Sequence, residues 1–345
     1  MKQCFVSSLQ DGQSVTTHFL VCVKEIRSTR EGKTYLRLEL GDSTGRVEAR
    51  MWTGFDAMAA SFERDDFVKV QARVESYRNK LQLAIEKIRR AEESEVDPAD
   101  FFPHTKENVD EMYAKLLEIV ASVENPWLRQ LLNTVVQDPE IVPRLKRAPA
   151  AKVMHHAFYG GLLEHVLSLC NLCRVVRSHY PEVNADLLLS GAVLHDIGKL
   201  KELSYDRSIN YTDEGQLLGH ILIEYGDLNK KIDVIEGFPP ELKTLILHML
   251  ISHHGQYEFG SPKLPMFREA LLLHYLDDLD SKMAAVRSAL ASDEGEGNWT
   301  GYNGALARRI LRTDKFLGIP VAAVADTAPA AEIVASVTES ADGKK

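Results

Sequence analysis

The sequence has few cysteines and no long apolar run. Four cysteines among 345 residues are too few for the disulfide framework of a secreted domain. No apolar run reaches the roughly 18 residues that span a bilayer, and the N-terminal stretch MKQCFVSSLQDGQS lacks the apolar centre of a secretion signal. These absences exclude a disulfide scaffold and a membrane-spanning protein. We therefore expect a cytoplasmic protein that makes no membrane contact.

Acidic residues outnumber basic ones, but the two are unevenly distributed along the chain. The formal net charge of −9 argues against tight nucleic-acid binding by the chain as a whole. Residues 1–90 nevertheless hold 16 lysines and arginines against 12 acidic residues, so the remainder is clearly acidic. An acidic domain still acts on phosphates when metal cations supply the positive charge.

The first part of the chain has the pattern of a small β-barrel. Five strand-like runs are separated by short polar turns such as RSTREGK and GDSTG. A short helical segment, FDAMAASF, follows the third run, and this order is typical of a five-stranded OB-fold. We predict an OB-fold over residues 1–92, then a linker and helical extension over residues 93–148.

Helical periodicity dominates the rest of the chain. Six segments, from VDEMYAKLLEIVASV to MFREALLLHYLDDLDSKMAAV, repeat apolar residues at three- and four-residue spacing. We predict an all-α bundle over residues 149–292. A basic helix at ALARRILR and a disordered tail are predicted within residues 293–345. The expected fold class is thus multidomain, a small all-β barrel followed by an all-α bundle.

Histidines are concentrated in the helical part. The mostly apolar stretch AVLHDIGKL carries His195 next to Asp196, and such a pair is costly to bury unless it is paired or binds a metal. Alone, the pair is usually a capped or solvated helix end. Other candidate ligands come from separate helices or loops, as in metal sites built in bundle cores. These candidates are His165, His220, His253, His254 and Asp277.

These residue types suit a metal centre. Neutral imidazoles bind borderline first-row metals, and a carboxylate can bridge two of them. Two cations about 3.5–4 Å apart hold a hydroxide at neutral pH and neutralise charge on a phosphoryl group. Five histidines and two aspartates on successive elements therefore indicate a metal centre, not a stray polar pair.

The order H…HD…H…HH…D resembles the HD-domain metal-dependent phosphohydrolases in their two-metal form. The segments PAAKVMHHAFYGGLLEHV, GAVLHDIGKLKELSY, YTDEGQLLGHI, LKTLILHMLISHHGQYEFGSPKLP and EALLLHYLDDLDSKM together resemble the HD domain of the YhaM-type 3′–5′ exoribonucleases. That family joins an N-terminal OB-fold to its HD domain. The resemblance implies a 3′–5′ exoribonuclease that hydrolyses single-stranded RNA to nucleoside monophosphates, with single-stranded DNA as the other candidate polymer.

Carried over by position, the resemblance implies two divalent metal ions that share Asp196. The first ion's ligands would be His165, His195, Asp196 and Asp277. The second ion's ligands would be His220, His253, His254 and Asp196. Asp280, one helical turn beyond Asp277, is the fallback, and Gly161 stands where some relatives have a third-metal glutamate. The resemblance favours Mn²⁺, whereas the ligands alone also suit Fe²⁺, Co²⁺ or Zn²⁺.

Three residues are candidates for a direct role in the reaction. Asp196 would touch both metals, Lys199 would offer charge to a substrate phosphate, and His156 would hydrogen-bond the substrate or support a ligand. The alternatives are a surface lysine for Lys199 and a plain helix start for His156. His248 and His274 are interpreted as satisfied core histidines, and the CNLC cysteines as buried thiols.

The barrel carries candidate nucleic-acid contacts in its first and last loops and on two strands. OB-folds hold single strands by stacking bases on aromatic rings beside a basic groove. The alternative is that the rings belong to the core and the loops are merely solvated. The candidates are Arg27, Arg30, Lys33, Tyr35, Trp52, Tyr77, Arg78 and Lys80.

Two other functions stay open from the sequence. An HD site also permits hydrolysis of a small nucleotide, such as a cyclic dinucleotide or a dNTP, although that substrate does not need the barrel. A nucleic-acid-binding protein with a structural metal site needs fewer ligands than the set above. The oligomeric state is open as well, and a homo-oligomer is compatible with the sequence.

Overall fold

A computed structural model describes most of the chain. The described residues are 2, 4–29, 31–78, 80–152, 158–205, 209–293 and 295–318. Among them, no helix combines the length and the apolar character that a membrane crossing requires.

The N-terminal part is a closed barrel with strand order β1-β2-β3-β5-β4. Its elements are β1 (Ser14–Ser28), β2 (Thr34–Asp42), β3 (Gly45–Met51), α1 (Phe55–Ala59), β4 (Phe67–Tyr77) and β5 (Lys80–Arg90). Alternate side chains point inward, so Leu36, Leu38 and Leu40 of β2 are fully buried in the barrel core. Five strands with a short helix after the third confirm the predicted OB-fold.

The remaining elements are mostly helices. They are α2 (Val109–Ala121), α3 (Pro126–Val136), α4 (Ile141–Arg147), α5 (Gly161–His179), α6 (Ala185–Leu194), α7 (Lys199–Glu202), β6 (Leu203–Ser204), β7 (Asn210–Tyr211), α8 (Asp213–Asp233), α9 (Pro240–Ser252), α10 (Arg268–Ser292) and α11 (Thr313–Leu317). Side chains of Asn108, Asn125, Asn184 and Thr212 accept hydrogen bonds from first-turn amides, which fixes where α2, α3, α6 and α8 begin. The predicted all-α bundle is confirmed.

The segment predicted as a linker is packed against both domains. Phe101 and Phe102 are buried in the helical core, which also includes Leu20 and Phe67 of the barrel. The rings of Phe67 and Phe101 lie 4.6 Å apart, and those of Phe102 and Tyr159 lie 5.0 Å apart. We call these two ring pairs the aromatic seam. It joins the barrel to the helical domain through continuous apolar contact.

The prediction of a basic helix at ALARRILR is wrong. Residues 305–312 form turns and isolated bridges, and α11 begins only at Thr313. The side chain of Asn303 accepts from the amide of Leu306, and Ala307 has a positive φ of 51°, so a local turn replaces the helix. The guanidinium of Arg312 then donates to Asp293. The tail predicted to be disordered lies, from residue 319 onward, outside the described residues.

Candidate metal centre and nucleic-acid surface

His195 and Asp196 lie in a tight turn between α6 and α7. The preceding residues Ala192, Val193 and Leu194 are buried, so the turn rests on a packed helix. A Cβ added to Gly198 would lie 2.2 Å from the carbonyl oxygen of His220. Only a glycine permits this approach, and the approach brings Asp196 against α8.

The structure groups six of the seven predicted ligands into two clusters. In the first cluster, Nε2 of His165 lies 3.2 Å from Nε2 of His195 and 3.2 Å from Oδ1 of Asp277. The second cluster comprises His220, His253 and His254. Within each cluster one ligand atom per residue lies within 4.8 Å of the others. Each cluster is compact enough to surround a single ion.

Asp196 lies between the clusters and offers one oxygen to each. Its Oδ2 is 3.3 Å from Nε2 of His195 and 3.8 Å from Nε2 of His165. Its Oδ1 is 3.5 Å from Nε2 of His220 and 3.9 Å from Nε2 of His253. This is the arrangement of a carboxylate that can bridge two cations.

Hydrogen bonds at Nδ1 orient all five imidazoles. His195, His253 and His254 donate from Nδ1 to the main-chain carbonyls of Ala192 (3.0 Å), Leu250 (2.7 Å) and Phe259 (2.7 Å), respectively. Because a carbonyl can only accept, Nδ1 carries the proton, and the Nε2 lone pair of a neutral ring is free to bind a cation.

The other two imidazoles have carboxylate partners. Asp280 accepts from Nδ1 of His165 at 2.8 Å, and Glu202 accepts from Nδ1 of His220 at 3.1 Å. Each cluster therefore contains one histidine that is oriented by a carboxylate. Asp277, not Asp280, places an oxygen in the first cluster.

The residues present fit a metal. Among the described residues, Oδ1 of Asp196 and Nε2 of His220 and His253 are buried without a hydrogen-bond partner. Orphaned buried polar atoms are costly, and a cation bound by them would remove that cost. Imidazoles with a few carboxylates suit borderline first-row divalent cations. The two clusters and Asp196 could therefore hold divalent metal ions.

The two clusters differ in charge. Burial, aided by the charge on neighbouring histidines, lowers the pKa of His253 and His254, which keeps them neutral. Burial also opposes protonation of His195, but Asp196 and Asp277 together raise the pKa of His195 well above its usual value. Carboxylate charge is therefore concentrated at the first cluster, whereas the second has mainly neutral donors.

Lys199 lies at the centre and is not a surface lysine. Its ammonium donates to Oδ2 of Asp196 at 2.7 Å, and its side chain is 12% exposed. Burial opposes its charge, but Asp196 outweighs burial and raises the pKa of Lys199, so it remains a cation. His156 lies outside the described residues.

Sequence reasoning missed Glu202, Glu224 and the orienting role of Asp280. Glu224 is buried, accepts from the amide of Gly198 at 3.2 Å, and burial raises its pKa well above the usual value. The spacing of these glutamates from His195 and Asp196 in the sequence does not predict the contacts, because the packing of α7 and α8 brings them to the site. The expected core role of His274 is confirmed, since its Nδ1 donates to the carbonyl of His253.

Glu202→Gln is expected to weaken metal binding at the second cluster by about 10- to 100-fold, because carboxylates that orient a ligating histidine have effects of that size. Calorimetric titration with Mn²⁺ measures the affinity. Glu214→Gln is the matched control, since Glu214 is an exposed glutamate of α8. Unchanged affinity in Glu202→Gln would contradict the orienting role.

The barrel presents an aromatic surface made of Tyr35, Trp52, Tyr77, Arg50 and Arg78. The rings of Tyr35 and Trp52 are stacked with centroids 4.6 Å apart. The guanidinium of Arg50 lies 5.9 Å from the ring of Tyr35 and 5.5 Å from that of Tyr77, and Arg78 lies 5.3 Å from the ring of Tyr77. Trp52 is 41% exposed and Tyr77 is 48% exposed, so neither is a core residue.

The basic candidates around this surface differ in how free their charges are. Lys33 and Lys80 are exposed in the β1–β2 loop and at the start of β5. Arg27 is exposed but pairs with Glu25 at 2.7 Å. Arg30 lies outside the described residues. Sequence reasoning missed Arg50, because its position across two strands from Tyr77 depends on barrel closure.

Trp52→Ala is expected to weaken binding of single-stranded RNA by about 1–3 kcal/mol, the usual contribution of one base–aromatic stack. Fluorescence anisotropy of a labelled oligonucleotide without divalent metal measures binding apart from cleavage. Trp299→Ala is the control, because Trp299 is 55% exposed outside the barrel. Equal losses in the two variants would contradict a specific role for the aromatic surface.

The fold and the site together define a class of protein. Residues 21–91 match the OB-fold nucleic acid binding domain family, and residues 162–282 match the HD domain family. The chain thus combines a single-strand-binding type of barrel with a metal-dependent phosphohydrolase domain.

Sequence relatives narrow the class to a family. The chain is 37% identical over 280 residues to the 3′-5′ exoribonuclease YhaM of Geobacillus sp. (strain WCH70), which covers 81% of this chain and 86% of that protein. It is 36% identical over 280 residues to the 3′-5′ exoribonuclease YhaM of Bacillus subtilis (strain 168), with 81% and 88% covered. The chain belongs to the YhaM family.

A solved structure of an OB-fold domain is among those similar to part of this chain. The second OB-fold domain of replication protein A from Methanococcus maripaludis is 22% identical, covers 26% of this chain and 93% of that chain, and has a TM-score of 0.22.

Proposed function

We propose that this chain is a metal-dependent 3′–5′ exoribonuclease that hydrolyses single-stranded RNA to nucleoside monophosphates. The observation that carries the proposal is the pair of clusters around Asp196 in a chain whose relatives bear that activity in their names. The aromatic surface of the barrel suits single-stranded polymers, DNA included. We also propose a cytoplasmic location, supported by the low cysteine content.

Two divalent ions are proposed, with Mn²⁺ favoured by the family resemblance. His165, His195 and Asp277 would hold one, and the second cluster would hold the other, with Asp196 shared. Bound cations of this kind lower the pKa of water and neutralise charge on a phosphoryl group. The imidazole donors support a borderline first-row metal such as Mn²⁺, Fe²⁺, Co²⁺ or Zn²⁺.

The chain's own residues do the positioning. Asp280 and Glu202 accept from Nδ1 of His165 and His220, respectively, and hold the two rings in fixed orientations. The Nε2 atoms are thereby already oriented to bind a metal ion. Lys199 is the cation nearest the bridging carboxylate and is proposed to donate to a non-bridging oxygen of the scissile phosphodiester. His156 is proposed as a further substrate contact.

The test uses single-stranded RNA labelled at its 5′ end and incubated with the purified protein and Mn²⁺. Progressive shortening from the 3′ end with release of nucleoside monophosphates is expected. A protein with two bound ions by elemental analysis and no effect on the RNA would overturn the proposal.

Point variants distinguish RNA decay from turnover of a small nucleotide. Trp52→Ala should slow RNA decay, whereas a cyclic dinucleotide or dNTP has no use for the barrel surface. Deleting the barrel is a poorer test, because the cut would expose Phe101 and Phe102 of the seam. Fast hydrolysis of a small nucleotide, with equal rates in Trp52→Ala, would favour the small-substrate function.

A further inference from the structure

Two exposed aromatic residues follow the second cluster in the chain. Tyr257 and Phe259 lie in a short 3₁₀ helix that follows His253 and His254, and they are 60% and 59% exposed. The carbonyl of Phe259 accepts the hydrogen bond from Nδ1 of His254 at 2.7 Å. The main chain of Phe259 is therefore separated from the ligand nitrogen of His254 by a single imidazole ring.

The backbone around this pair is firmly held. Gly255 has a φ of +73°, and a Cβ there would lie 2.2 Å from the ring of His274. The hydroxyl of Ser261 has one proton to donate and lies 3.1 Å from the carbonyl oxygen of Ile251 and 2.9 Å from that of Lys263. Because the turn is held on both sides, the backbone that carries the two aromatic residues has a defined place close to His254.

A second exposed apolar segment lies next to a ligand of the second cluster in the chain. Leu217 and Leu218 are 82% and 50% exposed and directly precede Gly219 and His220. The rings of His220 and His254 lie 5.0 Å apart, so the two segments converge on the same cluster. Single exposed apolar residues need no explanation, but here they converge from two segments on one cluster.

We propose that Tyr257 and Phe259 form a stacking platform for the nucleobase at the 3′ end of the RNA. The proposal rests on the proposed exoribonuclease function. Every base has a π-face, so stacking on aromatic rings accepts any nucleotide, as an enzyme that removes successive 3′ nucleotides requires. The base would lie on the rings while its phosphodiester reaches the clusters.

The test compares a 5′-labelled RNA with the same RNA lacking only its 3′-terminal base, in single-turnover release of the first nucleotide. For the wild-type protein, loss of the base should slow release by about 10-fold or more. In the double variant Tyr257→Ala, Phe259→Ala, release from the intact RNA should fall by the same factor. Loss of the base should then have no further effect.

Three controls accompany the comparison. Tyr257→Phe retains a ring and should behave as wild type. Tyr302→Ala removes a tyrosine that is 68% exposed elsewhere and should change nothing. Mn²⁺ affinity of the double variant should be unchanged, because His254 is held by the main-chain carbonyl of Phe259, which the substitution keeps.

The outcomes separate the two proposals. Wild-type rates in the double variant, or an equal slowing on both RNAs that preserves the wild-type ratio, would overturn the stacking platform and leave the exoribonuclease function intact. Loss of Mn²⁺ affinity would assign the rings to support of His254 and overturn it as well. Absence of RNA decay by the wild-type protein would remove the proposed function and the platform with it.

Discussion

Asp196→Asn is expected to lower kcat/KM on single-stranded RNA by at least about 1,000-fold. Removing one electrostatic contact to a reacting group already costs about 10²–10³-fold, and this carboxylate faces both clusters. The asparagine amide is neutral, and its NH₂ group cannot bind a cation. It therefore cannot replace the carboxylate as a charged ligand to both ions. Steady-state kinetics and elemental analysis measure the two effects together.

Metal counts decide whether Asp196 is shared. Asp196→Asn should reduce occupancy at both positions, whereas His195→Ala should mainly reduce the first. Asp278→Asn is the matched control, because that aspartate of α10 pairs with Lys282 and is 36% exposed. Two bound ions after Asp196→Asn would show that the shared-ligand assignment is wrong.

Gly198→Ala is expected to destabilise the helical domain by about 1–3 kcal/mol and to impair the metal centre. The new Cβ would lie 2.2 Å from the carbonyl oxygen of His220 and 2.9 Å from Cβ of Glu224. Neither of these two atoms is the flexible end of a side chain. Helix α8 must therefore move away from the turn that carries His195 and Asp196. The denaturation midpoint and Mn²⁺ affinity should therefore fall together.

Gly226→Ala is the matched control for this effect. Gly226 is on α8, the helix that Gly198 approaches, and a Cβ there would meet nothing within 4 Å. Because alanine favours a helix interior over glycine, this variant should be stabilised by about 0.5–1 kcal/mol. Wild-type stability in Gly198→Ala would show that the close contact between Gly198 and α8 is not required for the fold.

The fold classes and the candidate ligand set could be predicted from the sequence because both are encoded locally. Alternating strands and a short helix identify the barrel, and histidines at helix ends identify the centre. The resemblance favours Asp277 with Asp280 as the fallback, but helical periodicity does not separate the two, since both lie on the same face of α10. The structure uses both: Asp277 in the first cluster, and Asp280 behind His165.

What could not be predicted depends on tertiary contacts. Glu202 reaches His220 only because α7 packs on α8, and Arg50 meets Tyr77 only because the barrel closes. The sequence ALARRILR has helical periodicity, yet the turn at Asn303 and the pairing of Arg312 with Asp293 prevail. The periodicity of that segment contains no information about either contact.

The aromatic seam has a consequence for product length. Because Phe67 packs on Phe101, and Phe102 packs on Tyr159, apolar contact ties the barrel to the helical domain, and we expect a fixed separation between the aromatic surface and the metal centre. A fixed separation between the surface that binds the RNA and the centre that cleaves it sets a minimum length for an RNA that contacts both. An RNA shorter than this minimum no longer contacts the barrel. Digestion should therefore stall at one oligonucleotide size, whatever the starting length. A sequencing gel measures that size.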